Sequence, residues 1–141
     1  MTSPSSAQLA AGDVLGPSTF TITRADLVAY ADASGDHNPI HQDEDVARSV
    51  GLPGVIAHGM YTLALVGRAV AEWTDGAEVV DLGAKFTSPV VVPAEGGAEV
   101  VVGGTVKSVA DGLVTVALEV TCGGQKVLGM PKAVVKDPTG A

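Results

Sequence analysis

Ile56-Ala57-His58-Gly59-Met60-Tyr61-Thr62-Leu63-Ala64-Leu65-Val66-Gly67-Arg68-Ala69-Val70-Ala71-Glu72-Trp73 is the stretch on which the fold turns. Within it Leu63, Val66, Val70 and Trp73 recur at steps of three, four and three, which predicts a helix from Met60 to Trp73 with those four on its buried stripe. Thr62, Arg68 and Glu72 fall elsewhere. Ala64, Gly67, Ala69 and Ala71 are small, so other backbones can approach on more than one side, and the helix reads as one to be wrapped. Downstream the period changes from helix to strand. Glu78–Thr87, Ala98–Val109, Leu113–Cys122 and Gln125–Lys136 are rich in Val and Thr, with alternation clearest in Leu113–Val120. Asp111-Gly112 and Gly123-Gly124 are two-residue hairpin signals, so the last three of these runs should be consecutive antiparallel strands. Pro131 removes a ladder donor and points to a bulge or a sheet edge.

Upstream of the quoted stretch, Gly16-Pro17 punctuates the entry to a strand at Ser18–Thr23. Thr23 is a natural N-cap for a helix over Arg24–Ser34, with Asp26 in the first turn and Leu27, Tyr30 and Ala31 on the buried face. Gly35 stops that helix. Asn38-Pro39 disfavours its continuation, because the residue before a proline is pushed out of the α region. Asp43–Arg48 reads as a short acidic-fronted helical turn, and Gly51-Leu52-Pro53-Gly54 as a break. The expectation is an α+β fold, an antiparallel sheet curled around one long helix. At 141 residues it should be one domain, residues 1–141, with residues 1–12 frayed.

Composition narrows the function classes. The chain is 46% hydrophobic with a net charge of -8. A nucleic-acid or anionic-membrane surface needs clustered positive charge, and the eight cations here are scattered. Met1–Ser6 has neither a basic nor an apolar region of a leader, and no apolar run approaches the ~18 residues of a membrane span, so a cytoplasmic protein is expected. The single Cys122 can form neither an internal disulfide nor a cysteine-based zinc site and reads as a small strand hydrophobe.

All three histidines, His37, His41 and His58, lie between Tyr30 and Trp73. Gly35-Asp36-His37-Asn38-Pro39-Ile40-His41 places a carboxylate and an imidazole five residues apart in a loop that Gly35 and Pro39 hold to few shapes. An Asx turn at Asp36 with a packed His41 would produce the same spacing. A divalent metal held by Asp36, His37, His41 and Asp43 or Glu44 is a third reading of the same residues.

Taken with Ile56-Ala57-His58-Gly59-Met60, the loop resembles the signature of the MaoC-like, R-specific enoyl hydratase branch of the hot-dog superfamily. That signature reads G-D-x-N-P-hydrophobic-H, followed by hydrophobic-(A or V)-H-G-M. In length and pattern the chain is most similar to the catalytic beta subunit of actinobacterial (3R)-hydroxyacyl carrier-protein dehydratases, and the resemblance runs from the first strand to the last. It implies that Asp36 and His41 are an acid/base pair and that the Gly59 N–H polarises a thioester carbonyl. Asn38 and Pro39 would shape the loop, and His58 would have a structural role at the helix start. The implied reaction is reversible dehydration of (3R)-hydroxyacyl thioesters to trans-2-enoyl thioesters, without metal or redox cofactor. The implied substrate carrier is coenzyme A or an acyl carrier protein, and the implied assembly is a homodimer or a heterodimer with a related chain. A hot-dog thioesterase and a non-catalytic partner subunit are the alternatives. The chemistry is consistent with the types: elimination needs a base at the α carbon, an acid at the departing hydroxyl, and a fixed dipole for the enolate oxygen. Ala64 offers no hydroxyl where some relatives carry a helical serine, and Tyr61 stands where an aliphatic residue is common and is expected to narrow or re-floor the acyl tunnel.

Overall fold

The computed structural model describes residues 9–137. β1, Val14–Ile22, leads into α1, Arg24–Ser34. Between them Thr23 closes a capping box: its hydroxyl accepts from the Asp26 N–H at 3.2 Å while the Asp26 carboxylate accepts from the Thr23 N–H at 2.8 Å. Gly35 ends α1 in the left-handed region at φ 80°, as its position in the sequence requires. A 3-10 turn, Pro39–His41, and a short helix α2, Glu44–Ser49, follow. The long helix α3 spans Gly59–Trp73.

The second half is sheet: β2 Val79–Phe86, β3 Ala98–Ala110, β4 Leu113–Cys122, β5 Gln125–Lys126 and β6 Leu128–Lys136. Its order is β1-β3-β4-β6-β2, antiparallel throughout, with the two-residue β5 pairing β4. The sheet carries α3 on one face. Val66, Ala69 and Val70 are fully buried among Val100, Val102, Val116 and Val135. Trp73 closes the end of that core, donating its indole N–H to Ser18 at 2.9 Å. The chain narrows to glycine on both sides of the ring, since a Cβ on Gly16 or Gly104 would come within 2.6 or 3.0 Å of it. This is the α+β wrap expected from the sequence.

Several boundaries differ for physical reasons. The first strand begins four residues early, because a register shift between Leu15 and Ser18 absorbs Gly16-Pro17 within it. The last run is two strands, interrupted where the Val127 N–H turns to the Val120 carbonyl. Pro131 is at a bulge and not at an edge: β6 lies between β4 and β2, and Met130 before the proline has φ 49°. Residues 1–8 of the stretch expected to fray lie outside the described residues. Residues 9–12 are held, with Leu9 in the core and the Gly12 N–H on the Val106 carbonyl at 2.8 Å. On α3 the buried stripe includes Thr62 and Leu65, and Leu63 is only half-buried. Among the described residues no helix is long and apolar enough to cross a membrane.

Candidate active site

Two nested side-chain turns shape the loop before His41. The Asp36 carboxylate accepts from the Asn38 N–H at 3.2 Å, and the Asn38 side chain accepts from the Ile40 N–H at 3.2 Å. The Asx turn at Asp36 is thus present, in the same loop that carries the candidate pair. Pro39 starts the 3-10 turn that carries the His41 ring inward, leaving it 8% exposed. There Nδ1 lies 2.8 Å from the Ile56 carbonyl. A carbonyl only accepts, so Nδ1 carries the hydrogen and Nε2 is left for chemistry. The two motif segments are further tied by the Ile56 N–H on the Ile40 carbonyl at 3.2 Å.

His58 is the pivot between them. It is 1% exposed, and its Nε2 donates to the backbone carbonyl of Asp36 at 3.1 Å. Its ring stacks on His41 with centroids 3.8 Å apart and planes at 24°, and Tyr30 from α1 packs against it at 4.7 Å. Its Nδ1 is buried without a partner. One donor atom from each of Asp36, His41 and His58 lies within 4.8 Å of the others. His37, Asp43 and Glu44, the other members of the metal reading, are elsewhere in function. His37 is exposed, Asp43 caps α2, and Glu44 is ion-paired to Arg24 and Arg48.

Gly59 opens α3 immediately after His58, which occupies the N-cap without supplying a side-chain acceptor. The first-turn amides are therefore not occupied by a cap, as those of α1 are, and the positive end of the helix dipole faces the site. A Cβ on Gly59 would sit 3.0 Å from the Phe86 ring, so glycine is what lets Phe86 of β2 lie over this amide. A cavity of about 390 Å³ opens here. Asp36, His41, Gly59 and Thr62 line its polar side, and Phe86, Val90 and Leu128 much of the rest. An apolar slot with a few convergent polar groups is the usual form of a small-molecule site.

Tyr61 does not narrow this cavity, contrary to expectation. It packs on Tyr30 at 5.1 Å, and burial, helped by the negative charge of Asp26, pushes its hydroxyl above the ordinary phenol range. Thr62 and Phe86 were not expected in the site. Thr62 could have been found by its place one turn after His58. Phe86 arrives from a strand with no local signal.

The chain matches the family described as MaoC like domain over residues 6–123. It is 43% identical over 77 residues to 3-hydroxyacyl-thioester dehydratase X of Mycobacterium tuberculosis, covering 54% of this chain and 26% of that protein. It is 36% identical over 84 residues to a mitochondrial 3-hydroxyacyl-[acyl-carrier-protein] dehydratase of Arabidopsis thaliana, covering 60% of this chain and 50% of that one. The chain thus spans half or less of these curated relatives. Among solved structures it is similar to a MaoC-like dehydratase at TM-score 0.89 and 35% identity, covering 96% of this chain and 43% of that chain. It is also similar to an R-hydratase from Pseudomonas aeruginosa at TM-score 0.83 and 29% identity, covering 95% and 85%.

Proposed function

The chain belongs to the MaoC-like domain family, and on that premise we propose that it is a hydro-lyase interconverting (3R)-hydroxyacyl and trans-2-enoyl thioesters. The observation that carries this reading is the convergence of the Asp36 carboxylate and the His41 imidazole at one cavity that also receives the start of α3 at Gly59. In dehydration His41 Nε2 takes the proton from the α carbon and protonated Asp36 gives a proton to the departing hydroxyl, which leaves as water. The electron pair from the broken C–H bond forms the double bond. Charge building on the thioester oxygen is met by the Gly59 N–H at the helix end. In hydration the same groups act in reverse.

The His41–His58 stack argues against an ion held by both imidazoles. Ring lone pairs lie in the ring planes, and two rings stacked at 3.8 Å cannot both aim in-plane at one ion only ~2.0–2.1 Å from each nitrogen. We propose a substrate carried on coenzyme A or an acyl carrier protein, and a cytoplasmic setting. Phe86, 57% exposed, and the exposed Met60 leave the cavity mouth partly open, and β2 is an end strand of the sheet. A second hot-dog chain, identical or sister, would cover both.

The test is loss of the enoyl absorbance of a 2-enoyl thioester, with product chirality determined, for wild type, Asp36→Asn and His41→Ala. Each substitution should lower kcat by ~100- to 10,000-fold. Thiol release as fast as loss of absorbance would instead identify a thioesterase, and activity appearing only with an added sister chain would identify a heterodimer.

A further inference from the structure

We propose that the Thr62 hydroxyl is a second donor to the thioester oxygen, beside the Gly59 N–H; this rests on the reading above. Side chains on a helix tilt toward its N-terminus, so a residue in the first turn overhangs the residues three and four before it. For Thr62 those are Gly59 and His58, the two that begin α3. Thr62 is 3% exposed and lines the cavity with Asp36, His41 and Gly59.

The usual fate of a helical threonine hydroxyl is to bond the carbonyl four residues back. Thr74 does so, on the Val70 carbonyl at 2.8 Å. Thr62 does not. Its backbone N–H goes to the His58 carbonyl at 3.2 Å, while its hydroxyl has no partner among the described residues. Nor is that hydroxyl among the side-chain polar atoms sealed from solvent, as His58 Nδ1 is. A nearly buried residue whose hydroxyl is unused yet not sealed presents it to the cavity it lines. A hydroxyl can donate along any direction its rotor reaches, so it complements a backbone amide whose direction is fixed. Both would converge on one oxygen at the helix end. His41 is left to the carbon proton and Asp36 to the oxygen proton.

Two variants test this. Thr62→Val keeps the shape and removes the donor, and Thr62→Ser keeps the donor. Thr62→Val should lower kcat on a 2-enoyl coenzyme A thioester about 100-fold with KM little changed, the mark of a donor used in the transition state. Thr62→Ser should retain most activity, and the melting temperature of both variants should stay at that of wild type. A second measurement does not depend on turnover: the infrared carbonyl band of the same thioester bound to Asp36→Asn. It should move to lower frequency than in water, and part of that shift should vanish when Thr62→Val is added. Wild-type kcat in Thr62→Val, or a carbonyl band that the substitution leaves in place, overturns the assignment. Wild type without hydratase activity sinks the proposed reaction instead, and the carbonyl band then still decides whether Thr62 is a donor.

Discussion

His58 makes no contact that acid/base chemistry requires, yet it touches both members of the proposed acid/base pair. Its Nε2 holds the Asp36 backbone and its ring face supports His41. Replacing it by leucine should therefore lower kcat about tenfold or more through misplacement, since small displacements of reacting groups are costly. Its effect on stability should be modest: the Nε2 bond to the Asp36 carbonyl is lost, and the penalty of the buried Nδ1 without a partner is lost with it. A melting curve alongside kcat checks both, and a collapse of the fold would show the ring to be structural alone. Cys122 offers a separate check on burial. Desolvation raises its thiol above the ordinary value of 9.0. Its alkylation should be slow at neutral pH, climb steadily with pH and still be climbing at 9.0, where an unburied thiol is levelling off, measured as labelling rate against pH. Asp36, His41 and Gly59 were legible in the sequence because each sits in a short string whose turn chemistry fixes its direction. Thr62 lies on the buried face of α3 although the apolar period leaves it off that face, because the period does not register a buried hydroxyl.

The elements around the site are pinned where the sequence is most explicit. α1 has a complete capping box and α3 has no side-chain cap, and the difference fits the proposed site: amides that are satisfied at Thr23 are unused by any side chain at Gly59. Thr23→Ala should cost about 1 kcal/mol, read from a urea midpoint, with kcat preserved. Glu44 fastens three pieces together. It accepts from the Val55 N–H at 3.2 Å and pairs with Arg24 of α1 and Arg48 of α2. The Val55 bond chiefly, then the Arg48 and Arg24 guanidiniums, hold its carboxyl below the usual 4.5. A carboxyl depressed in the folded chain contributes stability above its unfolded value and loses it as pH falls through the folded one. The wild-type urea midpoint should therefore fall below pH 4.5 more steeply than that of Glu44→Gln; parallel curves would deny Glu44 this role. Sheet membership was legible from alternation and turn pairs. The split of the last run was not, because it depends on Val127 turning to Val120, a contact made only after the hairpin has formed.

At the scale of the molecule, the strand order places β1 and β2 at the two ends of the sheet, a non-local outcome that no window of sequence reports. What the sequence did report is the sign of the surface, and the structure shows how the scattered cations are used. Arg24, Arg48, Arg68, Lys126, Lys132 and Lys136 each lie within 4.0 Å of a carboxylate. Such exposed pairs are worth little individually, so they are no glue for an assembly. A partner has to be held by what remains: unpaired backbone along an end strand and exposed apolar side chains beside it. β2 has both, with Val80 45% exposed and Phe86 reaching from its end into the cavity. An active preparation of this chain alone should sediment at twice its 14.1 kDa. Val80→Asp places a charge on the end strand away from the acid/base pair, and should shift that mass toward 14.1 kDa while lowering activity in step with dissociation. If the chain instead turns over as a monomer, the cavity needs no second wall and the partly exposed Phe86 is sufficient cover; if it is a monomer that awakens only with a sister chain, β2 is the edge that the sister should protect from hydrogen exchange.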